Sequence, residues 1–176
     1  MTEVTSLAEI EAIARSALAK MPQTQADRAS IEHIQKHLQI NWNHRYTNKL
    51  GSAKPSIMLV ELSSQIWPLC SPERRAETVV HEVAHLAAVP LHESMPWGRY
   101  ERNTAHGKTW REMMVRTGYP NASVTHDVDR TSLVAHTLVE GICICRSFRL
   151  RPRSARMAAQ GRLKCMNCRA QIYLAV

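Results

Sequence analysis

Residues 78–89 read TVVHEVAHLAAV. Val79, Val80, Val83, Ala84 and Leu86 suit burial, yet His81, Glu82 and His85 lie among them. Burying imidazoles and a carboxylate without partners is costly, so something must compensate them. On a helix, positions i and i+4 emerge from one face a turn apart. His81 and His85 therefore present two imidazoles at a separation suited to one tetrahedral zinc ion. Glu82 is too close to them in sequence to share their face fully, but it can reach a water on the ion. This is the H-E-x-x-H spacing, in which the histidines bind zinc and the glutamate serves as general base. Two incidental histidines on a surface helix are the plainer reading of so short a pattern, and the apolar neighbours weigh against it.

The flanking residues extend this segment. Ser71-Pro72 reads as an N-cap followed by proline at the first helical position, so a helix is expected from about 72 to 89, ended by Pro90. A catalytic zinc takes three protein ligands and keeps a fourth position open. The metzincin arrangement would place a histidine six residues after His85, but Leu91 stands there and His92 is one residue off. Glu101 or Glu112 would serve as the downstream glutamate of a thermolysin-like site. His106 in "HGKTW" is the better candidate, because it opens a helix and Gly107 permits close backbone approach. That helix is expected to run to Thr117, with Trp110, Met113 and Met114 on its apolar face and Gly118 as its stop.

Further from the centre, Ser6 and Glu9 form a capping box for a helix over 6–20, whose apolar stripe is Leu7, Ile10, Ile13, Ala14, Ala17 and Leu18. A second helix is expected over 27–40, with Ile31, Ile34 and Leu38 on one face. His33 and His37 lie four apart on it with no carboxylate or cysteine constellation beside them, and they read as surface histidines. In "RYTNKLGSAKPSIMLVEL", residues 45–62, "GSAKP" reads as a turn between two extended runs, and Ile57 to Val60 as a buried strand. No run of 18 apolar residues occurs, so no membrane span is expected. The N-terminus does not look like a secretory signal. The expectation is therefore a cytoplasmic protein whose five cysteines are not disulfides.

"HEVAH", an interval of 20 residues and "HGKTWREMM", followed by a four-cysteine segment, resemble the SprT-like metalloproteases. The likeness covers roughly residues 28–172, and "NWNHRYTNKLGSAKP" is similar to the family's stretch ahead of its hairpin. The resemblance implies an α+β, zincin-like metalloprotease domain with a small β-hairpin or sheet. It also implies that His106 joins His81 and His85 as zinc ligand and that Glu82 is catalytic. Association with DNA, and cleavage of proteins bound or crosslinked to it, follow as further implications. The loop "VPLHESMPWGRYERN" departs from the family's pattern beside the expected cleft, so the family's substrate preference does not carry over.

Cys143-Ile-Cys145 is followed 20 residues later by Cys165-Met-Asn-Cys168. Two thiolate pairs at this spacing are the layout of a zinc ribbon, in which four sulfurs complete one tetrahedron. Cys70 stands alone and reads as a small buried hydrophobe. Residues 141–176 hold eight basic side chains and no Asp or Glu, whereas the whole chain carries +8, so residues 1–140 are net neutral. Such a segment suits a polyanion, most simply nucleic acid, although a solubilising tail is the blander reading. Arg146, Arg149, Arg151, Arg153 and Arg156 would meet phosphates. Phe148 among them would stack on an unpaired base, so single strands fit slightly better than duplex.

These readings give a metalloprotease domain over 1–140 and a basic four-cysteine zinc ribbon over 141–176. One catalytic and one structural zinc ion are expected, and the partners are DNA and proteins attached to it, with no membrane. One alternative is a nucleic-acid-binding zinc protein with a regulatory role and no protease activity. The intact Glu82 argues against that, because a structural zinc needs no base. A second rival, a peptidase of cell-wall or other peptides, sits poorly with the missing export signal.

Overall fold

The computed structural model describes residues 6–124 and 138–175, and the chain divides into two compact units, residues 1–128 and 129–176. The first unit is α+β. Helix α1 (Leu7–Ala19) opens with the expected capping box: Glu9 N donates to Ser6 Oγ at 3.2 Å and Ser6 N to Glu9 Oε2 at 2.7 Å. Helix α2 (Gln25–His37) starts and ends earlier than its apolar pattern suggests. Thr24 and Asp27 form a second capping box at its start, and Leu38 turns extended at its end.

The chain then enters strand β1 (Gln39–Asn43), whose first two residues fall within the helix expected over 27–40. Strand β2 (Gly51–Lys54) and strand β3 (Leu59–Ser63) follow. The order is β1-β3-β2, with β1 parallel and β2 antiparallel to the central β3. "GSAK" is thus strand, not turn. The reversal lies in the 3-10 turn Pro55–Ile57 and in Met58, whose φ of 51° is left-handed. The interior position of β3 explains why Leu59, Val60 and Leu62 are all buried, while β1 and β2 form the edges.

Helix α3 (Pro72–Leu91) is the spine of this unit. Ser71 Oγ accepts from Arg74 N at 3.3 Å, and Pro72 occupies the first turn as expected. It packs against α1, α2, β2 and helix α4 (Lys108–Arg116). Contact on so many sides accounts for its burying both the apolar residues and His81 and Glu82. The helix continues through Pro90 to Leu91, with Pro90 exposed in its last turn. Helix α4 buries Trp110, Met113 and Met114, and Gly118 beyond it has φ 94°, a conformation that suits glycine. Among the described residues no helix is long and apolar enough to cross a membrane.

Among the described residues the second unit is a three-stranded antiparallel sheet with one helix. Strands β4 (Val139–Ile142), β5 (Ser147–Leu150) and β6 (Tyr173–Leu174) run in the order β5-β4-β6. The boundary expected at 140/141 falls inside β4. The stretch between the cysteine pairs is not a plain loop. It holds β5 and helix α5 (Pro152–Ala159), which starts on a proline and buries Ala155 and Ala158. Cys143, Leu150, Ala155, Ala158, Cys165 and Ile172 form the core of this unit.

Candidate functional site

His81 and His85 leave α3 on one face, as their spacing requires, and His106 meets them from just before Gly107, the N-cap of α4. His106 Nε2 lies 3.1 Å from His81 Nε2, and one ligand nitrogen from each of the three rings falls within 4.8 Å of the others. Burial, helped by Arg111, lowers the His106 pKa below its ordinary value. The neutral imidazole that this favours is the form that binds a metal. Three convergent imidazoles are a donor set that a zinc-like ion fits.

Sequence proximity did not single out what braces these rings. Trp110 is only 1% exposed, and its ring centroid lies 4.7 Å from that of His81, 5.7 Å from His85 and 4.8 Å from His106. Its Nε1 donates to His81 O at 3.3 Å. The unmatched loop after α3 also contributes. His92 is buried, with Nδ1 2.7 Å from Thr109 Oγ1 and Nε2 2.8 Å from Glu101 O, and Trp97 Nε1 donates to Thr109 Oγ1 at 3.0 Å. Asn103 Nδ2 donates to Ala88 O at 3.0 Å, tying the loop back to α3. His92 thus anchors the loop that leads to His106. The other ligand candidates are engaged elsewhere: Glu101 pairs with Lys108, and Glu112 with Arg116 at 2.9 Å.

Glu82 is buried on α3 against the edge strand β2. Burial pushes its pKa up to about 7, opposed by the positive charge of Lys49 and a hydrogen bond from the Ala53 N–H. A carboxyl group poised near neutrality can both take and return a proton. Tyr100 and Arg99 are exposed. His33 and His37 are exposed on α2, with ring centroids 4.6 Å apart. Cys70 is buried.

In the second unit Cys143, Cys145, Cys165 and Cys168 offer sulfurs that all lie within 4.8 Å of one another. Cys143 Sγ is 3.3 Å from Cys145 Sγ and 3.8 Å from Cys168 Sγ, and Cys145 Sγ is 3.7 Å from Cys165 Sγ. The N–H of Cys168, then that of Asn167, help to lower the Cys165 pKa to about 6, whereas Cys143 leads in pushing Cys145 up to about 12. Backbone donors aimed at a sulfur favour thiolate, and four clustered sulfurs fit one tetrahedral ion.

Arg149, Arg151, Arg153 and Arg156 are exposed. Phe148 lies on β5. It packs half-buried against the core of its unit, and the Arg146 guanidinium sits 4.8 Å from its ring centroid. Alternation along β5 turns Phe148 and Leu150 inward and Ser147 and Arg149 outward. The exposed aromatic is Tyr173 on β6, 66% accessible and in register with Ile142, which is itself exposed. Its isolation near the end of the sequence hid it, and only strand pairing places it beside Ile142.

The family model described as the SprT-like family matches residues 19–130, well over half of the chain. No curated protein and no solved structure matches it.

Proposed function

The chain belongs to the SprT-like family, and on that premise we propose that it is a zinc-dependent metalloendopeptidase whose C-terminal unit brings it to DNA. The observation that carries the first part is the convergence of His81, His85 and His106, with the Glu82 carboxyl group held on the same buried helix. Zinc held by the imidazoles would supply Lewis-acid chemistry, acidifying water and polarising a carbonyl. The chain's own residues do the rest. Trp110 and the loop fixed by His92 hold the imidazoles in place. Glu82 takes a proton from the water that attacks the peptide carbonyl and passes it to the leaving amine nitrogen. A purely structural metal site would have no use for a buried carboxyl group poised in this way.

The cysteine cluster would hold a second, structural zinc and complete a ribbon. Exposed Arg149, Arg151, Arg153 and Arg156 would meet phosphates, and Tyr173 beside Ile142 offers an unpaired base a surface to stack on. Proteins attached to DNA would then be cleaved because they are close by, which implies residence with DNA in the cell. The test is cleavage of a DNA-binding protein by the full chain, with and without single-stranded or duplex DNA and across salt concentrations. The proposal expects DNA to accelerate cleavage and salt to weaken the effect. Equal rates with and without DNA would overturn the recruitment, and the absence of cleavage in zinc-loaded protein would overturn the protease.

A further inference from the structure

Gly51 opens β2 at the edge of the first sheet. Its conformation does not call for glycine, since among the described residues only Gly118 and Gly161 are glycines with positive φ. The space beside it does. A Cβ at Gly51 would lie 2.7 Å from Glu82 Oε1, 2.8 Å from Cγ and 3.0 Å from Cδ. The Glu82 side chain therefore rests against bare backbone, and the N–H of Ala53, two residues along the same strand, reaches its carboxylate.

We infer that Gly51 is a positioning residue for the reaction: its missing side chain makes edge strand β2 the seat that fixes where the Glu82 carboxylate points. This rests on the proposed function. Glutamate has several rotatable bonds, and ordering it costs entropy unless contacts select one rotamer. A general base must also lie within hydrogen-bond reach of the proton it takes. The atoms that a new Cβ would strike, Oε1, Cγ and Cδ, all belong to the Glu82 side chain and none to backbone. Substitution would therefore be accommodated by moving Glu82, with the backbone left in place. Little stability and much activity should be lost, the reverse of a glycine needed for packing.

The test is Gly51→Ala in the full, zinc-loaded chain. Misplacing a catalytic group by about 1 Å costs on the order of 10²-fold. A kcat lower by roughly 10- to 100-fold is expected, with KM within about twofold and zinc content equal to the parent's. A second measurement needs no activity. Where backbone geometry permits it, Gly→Ala stabilises a protein by restricting its unfolded chain. Gly51→Ala should raise the melting temperature in a Glu82→Ala background, where the obstructing atoms are gone, and raise it less or lower it in the parent. A parent-like kcat in Gly51→Ala, or the same temperature shift in both backgrounds, would overturn the inference. Cleavage by the parent together with an unaffected variant would leave the proposed function standing. A zinc-loaded parent that cleaves nothing would instead sink that function and the catalytic role of Gly51 together.

Discussion

Replacing Trp110 with phenylalanine tests whether one aromatic residue braces the metal centre. Trp110 is fully enclosed, touches all three imidazoles and donates to His81 O. Phenylalanine keeps one ring but gives up about 40 Å³ of volume. At ~24 cal/mol per Å³ of residual cavity that is about 1 kcal/mol. The lost hydrogen bond adds about 1 kcal/mol. A penalty of about 2 kcal/mol in a unit of this size should lower the melting temperature by about 8 °C. Stability alone would not distinguish Trp110 from any other core residue, so the informative readout is the metal. Groups that orient ligands typically contribute ~10- to 100-fold in metal affinity. Chelator competition should show a loss of that order at the histidine site, with the cysteine site unaffected. A variant that melts earlier yet holds zinc as tightly as the parent would refute the bracing role.

Other expectations follow from particular contacts. Replacing Cys165 and Cys168 with serine should remove one zinc per chain and unfold the second unit; elemental analysis and circular dichroism would report both, and an unchanged zinc count would exclude the cysteine cluster as a metal site. Tyr173→Ala should weaken single-strand binding more than Phe148→Ala does, read by fluorescence anisotropy; the opposite order would refute Tyr173 as the stacking surface. Glu61 accepts from Lys54 Nζ at 2.8 Å, Tyr46 OH at 2.7 Å and Asn43 Nδ2 at 3.1 Å, and these bonds, led by that from Lys54, lower its pKa from 4.5 to about 2. Its folded pKa is depressed, so its contribution is present above about pH 4.5 and is lost as pH falls toward 2. With Lys54 half exposed, that contribution is about 1–2 kcal/mol. The stability advantage of the parent over Glu61→Gln, followed by urea unfolding, should shrink across that interval, and a constant difference would contradict the assignment.

What could be read from the sequence was what local chemistry decides. The Ser6–Glu9 box, the Ser71-Pro72 start and the apolar face of α4 each depend on residues a turn apart, and each is present. The two histidines of H-E-x-x-H needed only helical spacing, whereas His106 needed the fold to bring it 25 residues back to His81. Errors arose where distant partners decide the outcome. Strand β1 forms because β3 pairs with it in parallel, and "GSAK" is extended because β3 takes its other edge. The glycine that suggested a turn makes room for Glu82 instead. His92, which the spacing already sets aside as a ligand, has partners that no local pattern shows, Thr109 and the Glu101 carbonyl. The packing of Phe148 against the core of its own unit likewise depends on strand alternation and on partners distant in sequence.

The central claim is that His81, His85 and His106 hold a catalytic zinc served by Glu82. The most direct measurement compares cleavage of a DNA-binding protein by the parent and by Glu82→Gln, with zinc content determined on the same samples. Glu82 is not a ligand, so both proteins should carry about two zinc ions per chain. Loss of a general base typically costs ~10²–10⁴-fold, and cleavage by Glu82→Gln should fall by that factor. Equal cleavage by the two proteins at equal zinc content would contradict the account.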